Sequence, residues 1–139
     1  MSHIPEMTIE THRRDEWIDL TGRGAEAVDA SGVRSGTVTV FVPHTTAGVT
    51  INENADPDVV SDVLQQLDVM VPWKQGFYRH TEGNTAAHVK ASMMGSSVTV
   101  LIQRSKLKLG RWQGIYFCEF DGPRTRSVWL RIDGNDAAD

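Results

Sequence analysis

Residues 112–132 read WQGIYFCEFDGPRTRSVWLRI. Both halves alternate in polarity with the period of two that a β-strand imposes, and Asp121, Gly122 and Pro123 between them supply turn chemistry. The pattern predicts two strands, 112–120 and 124–132, joined as a hairpin that ends the domain. In a pleated strand Trp112, Tyr116, Cys118 and Phe120 share one face of the first run, and Gln113, Ile115, Phe117 and Glu119 share the other. Both faces are therefore apolar. A small domain covers few strands on both sides, so this one is either a central strand under helices or has one face buried in a subunit contact.

Working outward, the same alternation marks MTIETH (7–12), TVTVFV (37–42) and SVTVLIQ (97–103) as strands. Helices fall between them. Asp56 is a good N-cap with Pro57 at the first helical position, and Val60, Val63, Leu64, Leu67 and Val71 follow as an apolar stripe at helical spacing. A second helix is expected over 84–94, opened by Asn84 as N-cap and stopped by Gly95. A third, from Thr21 to about Ala30, is weakened by Gly22 and Gly24. Strands outnumber helices without βαβ alternation, which gives an α+β class: a largely antiparallel sheet with two to three short helices. The 139 residues suit one domain, with its core over about 4–132 and a frayed acidic end, DGNDAAD, over 133–139.

No apolar run approaches the ~20 residues a membrane-spanning helix needs. The first residues lack a basic segment followed by an apolar one, and the single cysteine can form no internal disulfide, so the sequence reads as cytoplasmic. A net charge of −4 argues against a general nucleic-acid binder, because phosphate-backbone affinity needs clustered Lys and Arg. Local basic groups can still hold a small anion.

Three polar concentrations stand out against this background. HTEGNTAAHVK (80–90) gathers His80, Glu82, His88 and Lys90 around the expected helix start, which explains Asn84 and the alanines but not the titratable groups. VPHTTAGVTINENADPD (42–58) reads as a loop from a strand into a helix. Turn and cap chemistry accounts there for Asn52, Asn54 and Asp56 but not for His44, and Gly48 permits a close approach. Glu119 shares a face with Ile115 and Phe117, where a carboxylate is costly unless paired, metal-bound or protonated. Either Glu119 or Asp121 pairs structurally with Arg124 or Arg126, or Glu119 is an acid or base facing a cleft beside Arg124. His44, His80 and His88 could together hold zinc, although their spacing matches no standard metal motif and ordinary solvated or satisfied histidines are the alternative. His3 and His12 read as surface groups, and Cys118 as core.

PHTTAGVTINENADPDV, YRHTEGNTAAHVKASMMGSSVTV and LKLGRWQGIYFCEFDGPR, in this order and over about residues 5–132, resemble the YjbQ-like proteins, also called the secondary thiamine-phosphate synthase family. The resemblance implies an α+β homotrimer with a polar cleft, a divalent metal held by His44, His80 and His88, and Glu119 as catalytic carboxylate, seconded by Asp121. It further implies Arg124, Lys90, Asn52 and Glu53 as contacts to an anionic substrate. Ser105 stands where family members often have glycine. The implied reaction joins a pyrimidine-methyl diphosphate to a thiazole phosphate and releases pyrophosphate. The chain has no Gly-rich diphosphate loop and no aspartate-rich magnesium motif, and a three-histidine set suits zinc better than magnesium. A non-catalytic protein that binds a metal or a small ligand is the alternative.

Overall fold

The computed structural model describes residues 4–135. In chain order these form β1 (Glu6–Glu10), β2 (Glu16–Asp19), α1 (Thr21–Ser31), β3 (Ser35–Phe41), β4 (Ala47–Glu53), α2 (Pro57–Met70), α3 (Thr85–Met94), β5 (Ser97–Gln103), β6 (Lys106–Leu107), β7 (Gln113–Glu119) and β8 (Thr125–Gly134). The strands build two antiparallel sheets: a five-stranded one in the order β1-β8-β3-β5-β6 and a three-stranded one in the order β2-β7-β4. This is the α+β class the sequence predicts, with its three helices.

The two-faced strand explains the layering. Ile115 and Phe117 of β7 point between the sheets, where they meet Val38, Val40, Val100, Val128 and Leu130 of the larger sheet. Tyr116, Cys118 and Phe120 point the other way, against Leu67 of α2 and Ala87 and Ala91 of α3. β7 is thus a central strand under helices, the first of the two arrangements its sequence allows. The second cluster also takes in Val60, Val63 and Leu64, which confirms the apolar stripe of α2. Asp56 caps that helix by accepting the Asp58 amide.

The expected hairpin does not form. β7 pairs with β2 and β4, β8 pairs with β1 and β3, and the DGP segment is a corner between layers. Alternation specifies which side chains point inward but not which strand lies alongside, and here a neighbouring segment takes the corner. The Gly122 amide donates to the Arg14 carbonyl and the Thr11 amide to the Arg124 carbonyl. Residues 42–58 are likewise not one loop, because Ala47–Glu53 is a full strand whose Ala47 and Val49 are core. Its Gly and Asn residues disguised the alternation. The short strands β2 and β6 carried no signal long enough to read. β8 runs to Gly134, beyond the expected core limit, and residues 136–139 of the expected frayed end lie outside the described residues. At the Ser105 departure, Arg104 and Ser105 both adopt positive φ (54° and 64°) in the tight turn from β5 to β6. Such a turn favours glycine, and this chain adopts it with two residues that carry side chains.

Candidate functional site

After Phe41 the chain crosses from the larger sheet to the smaller one and enters β4 at Ala47. His44 lies in this crossing. Two consecutive residues of β8 hold it: the Ser127 amide donates to His44 Nε2 at 2.9 Å, and the Arg126 guanidinium donates to the Thr46 hydroxyl at 2.8 Å. Facing the crossing is α3, which sits against β4 because Gly48 has no side chain. A Cβ there would lie 2.6 Å from the Gly95 carbonyl oxygen. The close approach expected of this glycine is to a helix end. It opens a cleft of about 490 Å³ lined by His44, Thr45 and Ala47 on one side and His88, Ala91 and Ser92 on the other. His80, in the segment before α3, stands edge-on to His88 with ring centroids 5.3 Å apart. A larger hollow of about 640 Å³ lies between α1 and the end of β8, but its lining is mostly aliphatic and carries none of the predicted site residues.

Burial lowers the pKa of His44, and the Arg126 charge lowers it further, so the ring is neutral near neutral pH. Arg124 also acts on it electrostatically. Arg124 is half exposed and is anchored by donating to Asp121 Oδ2 at 3.0 Å, and Asn84 Nδ2 donates to the same carboxylate at 2.8 Å. Asn84 occupies the N-cap position of α3 as predicted, but its amide serves Asp121 and makes no cap hydrogen bond. Asp121 therefore positions Arg124 and the start of α3.

Glu119 takes the structural alternative. It is fully buried, chelated by the Arg126 Nε and Nη2 donors, and accepts the Thr11 hydroxyl and the Phe120 and Asp121 amides. Burial alone would raise its pKa, but the Arg126 and Asp121 hydrogen bonds outweigh that and the net shift is downward. A carboxylate held ionised, with both oxygens engaged and no surface exposed, is not placed to shuttle protons in a cleft.

Lys90 also departs from its expected role. It is completely buried, donating to Asp15 at 2.8 Å and Asp68 at 3.0 Å, so its charge ties α3 to α2 and to the segment before β2 and is not free for an anion. Hydrogen bonding from Lys90 lowers the pKa of Asp68. Asn52 and Glu53 sit at the far end of β4, roughly 17 to 20 Å along the strand from Ala47 at ~3.4 Å per residue, opposite Gly114 and Gln113. Asn52 Oδ1 accepts the Glu53 amide and the Glu53 carbonyl accepts the Tyr116 hydroxyl. Neither residue reaches the histidine cleft.

Among the described residues no three His, Cys, Asp or Glu side chains lie close enough together to hold a metal ion. The expected three-histidine set is thus split within one chain: His80 and His88 adjoin, and His44 spends Nε2 on Ser127. The sequence reading placed Thr45 and Thr46 in the polar concentration around His44 without a role, and it missed Ser92 and Ser127. Ser92 was within reach of it, since it lies four residues after His88 on the same helical face. Ser127 was not, since nothing local to it announces a partner 83 residues away.

A family model described as "UPF0047 protein YjbQ-like" matches residues 5–135. The chain belongs to this family. It is 51% identical over 131 residues to the UPF0047 protein YugU of Bacillus subtilis, covering 94% of this chain and 99% of that one. The UPF0047 protein MJ1081 of Methanocaldococcus jannaschii is 46% identical over 127 residues, with 91% of each chain covered. Among solved structures, a YjbQ/UPF0047 family protein of Clostridium acetobutylicum superposes with a TM-score of 0.90 at 56% identity, covering 93% of this chain and 99% of that one. A YbjQ-like protein of Sulfolobus solfataricus has the same TM-score of 0.90 at 28% identity, with 96% and 97% covered. The resemblance drawn from the three sequence blocks is therefore a true membership, and the layered fold is the family's. Among the described residues no helix is long and apolar enough to cross a membrane.

Proposed function

We propose that the cleft between the His44 crossing and α3 binds a small phosphorylated or anionic metabolite and that the protein is an enzyme acting on it. The transfer chemistry is that of a thiamine-phosphate synthase, in which a diphosphate leaves. The observation that carries this reading is the convergence of His44 and His88 on one cleft, with the half-exposed Arg124 close enough to bias His44 electrostatically. The imidazoles of His44 and His88, the Thr45 hydroxyl and a guanidinium anchored by Asp121 suit an oxyanion, because they supply directed donors and one fixed positive charge. In this reading the chain is a cytoplasmic homotrimer. A divalent ion, zinc before magnesium, would be held by His80 and His88 and would neutralise the leaving diphosphate. Two imidazoles are an incomplete ligand set for such an ion.

A second reading, binding without turnover, is favoured by one observation: the cleft shows no activated nucleophile or base. Glu119 is buried and saturated, and burial pushes the Cys118 thiol well above its ordinary range. Untagged protein analysed for metal, together with a panel of phosphorylated metabolites assayed for turnover, tests both readings. We expect wild-type protein to carry zinc and His88→Ala to lose it, with turnover of a diphosphate ester falling by at least about tenfold, as for loss of a positioned donor. Equal metal content in the two proteins would remove the histidine pair as a metal site. Binding without turnover across the panel would select the second reading.

A further inference from the structure

A neutral imidazole has one ring nitrogen that donates and one that accepts, and the hydrogen bond at one nitrogen fixes the role of the other. His44 Nε2 lies 2.9 Å from the Ser127 amide nitrogen, a donor, so Nε2 must contribute its lone pair and the ring proton must sit on Nδ1. The amide cannot move away. Ser127 is paired with Thr8 of β1, two residues beyond the last pair of β8 with β3, Phe41 and Trp129, and the preceding residue, Arg126, is locked to Glu119 and Thr46. His44 Nδ1 has no partner among the described residues and is absent from their buried unpaired atoms, which are Trp17 Nε1, Asn84 Oδ1 and Thr85 Oγ1. It therefore faces open space, and the open space that His44 lines is the cleft.

We infer that His44 is a fixed, neutral Nδ1–H donor, not a metal ligand, and that it recognises a phosphate oxygen of the cleft's ligand. While the Ser127 bond stands, a metal at Nδ1 would require an imidazolate, so the metal role falls to His80 and His88 alone. A donor that cannot become an acceptor selects against cationic and amino ligands at this point, and Arg124 adds to the same preference. The inference names a contact within the site proposed above and rests on that reading for the identity of the ligand.

Histidine labelled with ¹⁵N gives a direct test, because the two tautomers have distinct two-bond proton–nitrogen patterns, and His44→Asn assigns the resonances. We expect His44 in the free protein to be the Nδ1–H tautomer, and titration with inorganic phosphate to shift its Nδ1 signal. His44→Asn, whose amide nitrogen falls near Nδ1, should keep phosphate affinity within a few fold. His44→Gln, whose amide reaches instead toward the Nε2 position, should lose roughly tenfold, the worth of a hydrogen bond to a charged group. An Nε2–H tautomer, or zinc binding that shifts the His44 nitrogens directly, overturns the inference. So does phosphate that shifts His88 while leaving His44 in place, a result that would spare the proposed function. Phosphate that shifts neither ring would instead overturn the proposed function, and with it the ligand assigned to His44.

Discussion

Glu119 and Arg126 form the most consequential pair of single residues in the chain. A buried ion pair adds little relative to well-packed apolar residues, but removing one partner leaves the other charge buried and alone. We therefore expect Glu119→Gln to lose about 3–5 kcal/mol of stability, read by urea denaturation, and to loosen the Thr46 end of the His44 crossing. The pH dependence follows from the sign of the shift. The folded-state pKa of Glu119 is lowered, so its stabilisation is complete above the unfolded value of about 4.3 and is lost as pH falls below that value through the folded one. The stability gap between wild type and Glu119→Gln should accordingly narrow in acid. A gap that stays constant from neutral pH to below about pH 4 would mean that Glu119 is not ionised in the folded protein. Arg126 was one of the two partners the sequence offers, and its place within the strand, in line with the core residues Val128 and Leu130, selects it over Arg124, which closes the corner before β8. Lys90 offered no such clue, because its carboxylates, Asp15 and Asp68, come from segments whose packing on α3 no local pattern encodes.

Among the elements, those with long, clean periodicity were legible: β1, β3, β5, β7, β8 and α2 follow the alternation or the helical stripe closely. What escaped was pairing. The DGP segment has hairpin chemistry, yet its two strands go to different sheets, because strand partners are chosen by the surfaces buried across the molecule and not by the turn between them. β4 escaped because the feature that makes it useful, a glycine under a helix end, also breaks its strand signature. Gly48 therefore tests how the cleft is built. Gly48→Ala drives a Cβ into the Gly95 carbonyl, and we expect a loss of about 1–3 kcal/mol, typical of overpacking, with weakened ligand binding as α3 is displaced from His44. Gly22→Ala is the control. It meets nothing within 4 Å and should be neutral or stabilising, by up to about 1 kcal/mol from helix propensity. Thermal melts of both variants check the contrast, and equal effects would mean that the close approach of α3 to β4 does not shape the cleft.

At the scale of the whole molecule the layers are unequally covered. α2 and α3 shield the outer face of the small sheet, whereas among the described residues no helix shields the outer face of the large one. There Phe41 and Trp129 stack with centroids 5.9 Å apart, and Leu101 is 59% exposed two strands away from Trp129. A β surface bearing stacked aromatics and an exposed leucine is poorly suited to water and well suited to another protein surface. The trimer proposed above would bury it. A charge placed in the stack should separate the subunits without touching His44, His80 or His88. We expect Trp129→Glu to convert a trimer to monomer, measured as mass by light scattering during gel filtration, with the circular dichroism of the fold retained. Because Trp129 also donates to Glu6, Phe41→Glu serves as an independent charge in the same stack. If both variants keep the trimer's mass, the contact lies elsewhere, and the exposed Val89 and Met93 of α3, which border His88, become the surface to alter. In that event subunit exchange and ligand binding would change together, because the interface would then adjoin the cleft itself.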